Sequence, residues 1–139
     1  MNDQPTLADF PAHSHDKLRY GDTDRQGHVN NAVFATLLET GRIEVLRDVN
    51  DDLNEDGLEW VIARLTLDFL GEILWPGQVD VGTRVQRLGT TSVGMEQALY
   101  QDGRIVARAE TVIVQMDAAT RRPAPLSETA RERFAALQP

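Results

Sequence analysis

Apolar residues recur at two different periods along this chain, and the change of period divides it. Phe34, Leu37, Leu38, Gly41, Val45 and Val49 fall at helical spacing, so they form one stripe and predict an amphipathic helix. Its start lies near Asn30 or Asn31, because asparagine is among the best residues for capping the first turn. Asn50-Asp51-Asp52 and Gly57 read as the polar loop that ends it. Gly41 costs about 1 kcal/mol relative to alanine inside a helix, which predicts that another element packs closely against that turn.

After Gly57 the period becomes two. Val61, Ala63, Leu65, Leu67 and Phe69 fill one face of a strand, with Arg64, Thr66 and Asp68 opposite. Trp75-Pro76-Gly77 turns the chain into a second strand whose inner face is Val79, Val81, Thr83 and Val85. The Gly89-Thr90-Thr91-Ser92 turn leads to a third, carrying Val93, Met95 and Leu99, and Asp102-Gly103 is a strong two-residue hairpin signal. The run from Arg104 to Met116 is apolar on both faces in places, as in a central strand covered on both sides. Ahead of the helix, His15 to Tyr20 reads as a short strand. Residues 1–12 carry two prolines and no periodicity, so they are expected to form a flexible arm. Leu126, Ala130, Phe134 and Leu137 predict a short amphipathic helix over Ser127–Leu137. One helix followed by hairpin-linked strands predicts an α+β domain over residues 13–139, with an antiparallel sheet folded over the helix.

Composition narrows the function. The 139 residues, 41% apolar and 26% charged, suit one soluble globular domain. No apolar run approaches the ~20 residues of a membrane-spanning helix. The first residues lack the apolar centre of a secretion signal, so the cytoplasm is the expected location. Without cysteine, thiol catalysis and Cys-ligated metals are excluded. The formal charge of −8 argues against nucleic acid, whose phosphates demand a basic face. His13-x-His15-Asp16 is too sparse a ligand set to predict a metal. No glycine pattern of a nucleotide cofactor site occurs either. No cofactor is expected.

Candidate chemistry concentrates in Tyr20-Gly-Asp-Thr-Asp-Arg-Gln-Gly-His-Val-Asn-Asn31. Two carboxylates (Asp22, Asp24), an imidazole (His28) and two carboxamides (Asn30, Asn31) stand just ahead of a helix. The free amide groups there, with the helix dipole, favour an anion or a developing oxyanion. The same field stabilises an ionised carboxylate, so Asp24 is a candidate nucleophile or general base. A purely local reading is also open: Asp22 and Asp24 hold a turn and Asn30 caps the helix.

Asp24-x-x-Gly27-His28-Val29-Asn30-Asn31, Phe34 and Glu39-x-x-Arg42 together resemble the signature of 4-hydroxybenzoyl-CoA thioesterase-like hotdog-fold acyl-CoA thioesterases. Further matches run in order along the chain: Asp68-Phe69-Leu70 with Glu72, Leu88-Gly89-x-x-Ser92, Gly103-x-x-Val106-Ala107 and Asp117-x-x-Thr120-x-Arg122-Pro123-x-Pro125-Leu126. The resemblance implies a hotdog fold, a five-stranded antiparallel sheet wrapped around one long central helix. It also implies homodimers or dimer-of-dimers tetramers with sites between subunits, and an acyl-CoA substrate. Asp24 would then be the catalytic carboxylate and the Asn31 backbone N–H the donor that polarises the thioester carbonyl. His28 is a candidate for catalysis or substrate positioning, or for ordering the loop. Asn30, Glu39, Arg87, Ser92, Arg121 and Arg122 are candidate substrate contacts, the arginines for the phosphates of coenzyme A. The bland readings stand beside these: Glu39 and Arg42 as a surface ion pair, Ser92 closing a turn, the arginines solvated. Competing functions on the same fold are an acyl-carrier-protein thioesterase, a non-catalytic acyl-thioester-binding protein, and a hydratase. The hydratase is disfavoured because the predicted helix lacks a histidine.

Overall fold

The apolar stripe folds as α1, Asn31–Val49, with Phe34, Leu37, Leu38, Gly41, Val45 and Val49 all buried. The computed structural model describes residues 4–49 and 57–139, so of the polar loop expected after α1 only Gly57 lies within the described residues. Five strands follow the order of the sequence pattern: β1 (Ala12–Lys17), β2 (Leu58–Phe69), β3 (Gln78–Leu88), β4 (Ser92–Gln101) and β5 (Arg104–Asp117). They form one antiparallel sheet in the order β1-β3-β4-β5-β2. A short α2, Glu128–Ala135, is capped by Ser127, whose Oγ accepts from the Ala130 N–H at 3.0 Å. The fold is the expected one: a five-stranded antiparallel sheet around one long helix, with a short helix at the C-terminal end.

α1 lies against β1, β3 and β4, and Gly41 shows how close the approach is. A Cβ there would meet Val81 Cγ1 at 2.7 Å and Gln97 Nε2 at 2.9 Å. The glycine trades helix propensity for contact with the sheet. Gln97 bridges the two layers: its Nε2 donates to Leu38 O and Thr83 Oγ1, both at 3.0 Å. Its Oε1 accepts from Arg42 Nη1 at 3.3 Å. Arg42 is therefore buried, and loss of water lowers its pKa, partly offset by the Glu39 charge. The expected Glu39–Arg42 surface ion pair does not form, because Arg42 turns inward to pair with Gln97 while Glu39 stays exposed. Apolar packing divides about this polar layer. Phe34, Leu38, Ile73 and Leu99 cluster at one end, and Val45, Met95, Ile113 and Phe134 at the other.

Four details differ from the sequence pattern. The first strand is Ala12–Lys17 rather than His15–Tyr20. It pairs with β3 only as far as Lys17 opposite Gln78; beyond it the Asp22 carboxylate captures the Arg19 N–H and pulls Tyr20–Asp22 into a 3-10 turn. In β2 a bulge between Ile62 and Arg64 breaks the alternation, so Ile62, opposite Ile113, shares the inner face with Leu65 and Leu67, while Val61 is opposite Val114. β5 mostly alternates buried and half-buried positions rather than being covered throughout, with Glu110 exposed. Finally, the described part of the segment expected to be a flexible arm, residues 4–12, packs on the outer face of the sheet. Phe10 is 2% exposed, its ring occupies the space a Gly82 side chain would need, and Pro5 O accepts from the Tyr100 hydroxyl at 2.7 Å.

Candidate active site

The loop before α1 is held by hydrogen bonds between its own residues. The Asp22 carboxylate accepts from the Arg19 backbone N–H at 2.9 Å and from Arg19 Nη2 at 3.0 Å, and is buried. Two residues on, the Asp24 N–H donates to His28 O at 2.8 Å and Gly27 N–H to Asp24 O at 3.1 Å. Gly27 closes this turn at φ +85°, where glycine is favoured. Asp24 Oδ1 accepts from Gln26 N–H at 2.8 Å and His28 N–H at 3.3 Å. The loop is also fastened to the chain that leaves β2: Val29 N–H donates to Ile73 O at 2.9 Å, and His28 bridges Leu74. Gln101 clamps Leu74 from the sheet, accepting its N–H at 3.0 Å and donating to its O at 2.7 Å.

These fastenings leave an open groove of about 410 Å³ whose lining includes Asp24, His28, Asn31, Phe34, Phe69, Leu70 and Glu72. Asp24 is exposed in the single chain. Its Oδ1 is occupied by the loop, while Oδ2 accepts nothing among the described residues. Asn30 Oδ1 caps the Ala32 N–H at 3.0 Å, and Asn31 N–H has no acceptor among the described residues. The groove thus holds an ionisable oxygen and a helix-terminal donor beside an apolar wall. In that wall Phe34 and Phe69 meet edge to face, 5.0 Å between centroids. His28 Nε2 lies 3.4 Å from Glu72 Oε2. Acyl transfer needs an oxygen nucleophile or base and a preorganised N–H donor, and Asp24 and the first residue of α1 both line this groove.

A family model described as the thioesterase-like superfamily matches residues 18–134. The chain belongs to that superfamily. A Thermus thermophilus thioesterase solved with coenzyme A and zinc is 38% identical, with a TM-score of 0.83 over 93% of this chain and 95% of that one. A Pseudomonas aeruginosa PAO1 protein is 26% identical at a TM-score of 0.89, over 96% of both chains. A thioesterase predicted in Bacillus stearothermophilus is 28% identical at 0.85, over 92% and 98%. Membership in the thioesterase-like superfamily supports thioester hydrolysis as the class of reaction.

Within this thioesterase-like chain, the groove brings together Asp24, His28 and Asn31 from the residues singled out in the sequence. Asn30 stands beside them with its side chain engaged as a cap. Glu39 is exposed two helical turns further along α1. Arg87 lines a separate hollow of about 230 Å³ with Arg64, Gly94 and Glu110. Ser92 opens β4, and its carbonyl accepts from Gly89 N–H at 2.8 Å, closing the turn. Arg121 pairs with Glu59, and Arg122 is exposed beside it. Both belong to the loop that Asp117 organises through the Thr120 and Ala119 N–H groups, bonds that hold its carboxyl below the usual range. That loop adjoins the Leu58 end of β2, whereas the groove adjoins the Phe69 end. Among the described residues no group of three or more His, Asp or Glu could hold a metal ion, and no helix is long and apolar enough to cross a membrane. Sequence reasoning did not single out Glu72, Phe69 or Leu70 as lining the site. The available signals were the family match at Asp68-Phe69-Leu70 with Glu72, which carried no role, and the pair Phe69-Leu70, two apolar residues that break the alternation where β2 ends.

Proposed function

We propose that this protein hydrolyses acyl-CoA thioesters to a free acid and coenzyme A. The observation that carries the reading is Asp24, with one carboxylate oxygen tied to the loop and the other unengaged, in the same groove as the unpaired Asn31 amide. Two routes fit that pair. In the first, Asp24 attacks the carbonyl carbon, the C–S bond breaks, the thiolate takes a proton from water, and water hydrolyses the resulting anhydride. In the second, Asp24 takes a proton from water as its oxygen attacks, and that proton passes to the leaving sulfur. The Asn31 N–H stabilises the oxyanion in both, a contribution typically worth ~2.7–4 kcal/mol. The apolar wall around Phe34, Phe69 and Leu70 suits the acyl group. The coenzyme A bound by the Thermus relative supports the choice of thiol.

We further read the working form as a homodimer or a dimer of dimers, located in the cytoplasm. His28 and Asn30 border the reacting group. Arg87, Ser92, Arg121 and Arg122 are the groups we assign to the nucleotide end, with Glu39 supporting the helix behind the site. The test is thiol release over a panel of aliphatic and aromatic acyl-CoAs, with wild type and Asp24→Asn compared. Wild-type and variant rates that both equal the uncatalysed background overturn the enzymatic reading. Tight acyl-CoA binding without turnover would then favour a binding protein. Heavy oxygen found on the Asp24 carboxylate after a single turnover in labelled water identifies the nucleophilic route with water attacking the Asp24 carbonyl of the anhydride, since the general-base route places the label only in the product acid.

A further inference from the structure

The loop that carries Asp24 into α1 belongs to none of the five strands. It is fastened along the connection between β2 and β3. Leu18 N–H donates to Gly77 O and Val29 N–H to Ile73 O, both at 2.9 Å. The Tyr20 ring meets Trp75 edge to face, 5.3 Å between centroids, and His28 bridges Leu74. His28 is the junction to the chemistry, because its carbonyl accepts from Asp24 N–H and its own N–H donates to Asp24 Oδ1. A surface connection is a mobile support unless something holds it in turn.

Gln101, the last residue of β4, supplies that hold. Its carboxamide accepts from Leu74 N–H at 3.0 Å and donates to Leu74 O at 2.7 Å, so both its ends are spent on the backbone of one residue. Gly77 leaves room for it, since a Cβ there would lie 3.1 Å from Gln101 Nε2. Gln101 is 4% exposed and does not line the groove. A buried carboxamide is costly unless its polar ends are bonded, and at this length it is the group that both donates and accepts. A glutamate would set a second oxygen against Leu74 O, and a methionine would make neither bond. We propose that Gln101 is a positioning residue for the reaction, setting the place of the Asp24 carboxylate through Leu74 and His28. Its effect falls on the alignment of the attacking oxygen with the carbonyl carbon, which governs the transition state and hardly touches substrate binding. This inference rests on the proposed thioester hydrolysis, although the hold on the loop can be read without a substrate.

Gln101→Met keeps the length of the side chain and removes both bonds. Amide hydrogen exchange followed by NMR should quicken roughly tenfold or more at Leu74 and Val29, and stay as in wild type at Val81 and Leu99 within the sheet. On the same variant, with the acyl-CoA that the wild type turns over fastest, kcat should fall roughly tenfold or more while KM stays within about twofold. Gln115 is the control, a buried glutamine beside Trp60 of β2 whose Nε2 donates to Pro125 O at 2.9 Å. Gln115→Met should lower Tm as well, yet leave kcat within about twofold of wild type. If Gln101→Met does not fold, Gln101→Asn keeps the carboxamide one methylene short, where water can bridge to Leu74, and kcat alone should fall about threefold. Exchange at Val29 equal to wild type, an unchanged kcat, or a Gln115→Met loss in kcat as large as that of Gln101→Met overturns the proposal. A wild type that releases no thiol above background overturns the hydrolytic function itself, and quickened exchange at Val29 would then show Gln101 to be a support of the loop and nothing more.

Discussion

Asp22 and Asp24 are the same residue type, two positions apart in one loop, and they end in opposite circumstances. The Asp22 side chain is buried and both its oxygens are engaged by Arg19. Its backbone carbonyl also accepts from Asn30 N–H at 2.8 Å, just before α1. Asp24 is exposed, is held through one oxygen, and borders the groove. A buried carboxylate with both oxygens engaged contributes to folding and is withdrawn from a substrate. One that is fixed at one oxygen and free at the other is oriented without being used up. The difference arises from local geometry, since both sit in turns that the sequence describes in the same terms.

The comparison breaks most visibly at Asp24 itself. Asp24→Asn is expected to lower kcat/KM for acyl-CoA by roughly 10²–10⁴-fold, the usual range for a lost general base. Calorimetry should show the melting temperature within about 2 °C of wild type, because exposed substitutions of this kind cost little. Asp22→Ala should do the reverse. It strands the Arg19 N–H, a loss of about 1–3 kcal/mol, which corresponds to several degrees in Tm for a domain of this size. Activity per folded molecule should fall far less than for Asp24→Asn. If Asp22→Ala abolishes turnover while leaving Tm unchanged, the assignment of roles is inverted.

A smaller effect is expected at Glu72, which meets His28 across the groove at 3.4 Å. Glu72→Gln removes the charge and keeps the shape, and a loss of about 1 kcal/mol would lower kcat/KM about fivefold. An unchanged kcat/KM would show that the His28–Glu72 contact orders the loop only. The least effect on catalysis is expected at Tyr100, where burial above all, then Asp9, pushes the phenol up to about 12. Its folded pKa lies above the unfolded value near 10, so the folded state holds a proton that the unfolded chain releases. The stability it contributes is complete below pH 10 and is lost as pH rises from about 10 to 12. Denaturant unfolding across that window should show the loss, and Tyr100→Phe should remove it without changing turnover at neutral pH.

The candidate site was legible where its chemistry is local. Asp24, His28 and Asn31 fall within eight residues, and a turn followed by a capped helix brings them together whatever the rest of the chain does. Glu72 was not legible as a neighbour of His28. It enters the groove only because Val29 and His28 bond to the Ile73-Leu74 backbone, which Gln101 holds in turn. Arg121 and Arg122 illustrate the opposite limit. They lie at the far end of a twelve-residue strand from the groove, about 37 Å at the usual rise per residue, so within one chain they cannot share it with Asp24.

By itself the sequence determined the helix, the strand order along the chain, the Asp102-Gly103 hairpin with φ +52° and +77°, and the close approach at Gly41. Each rests on periodicity or on the conformational range of a single residue, and these are properties of neighbours along the chain. Tertiary structure alone decided that Arg42 is drawn inward to Gln97, that the bulge turns Ile62 to the inner face, and that Phe10 docks on Gly82. Those outcomes depend on which distant surface lies opposite. Burial and pairing act through space, and a residue's share of them is settled only when the sheet and the helix have closed on one another.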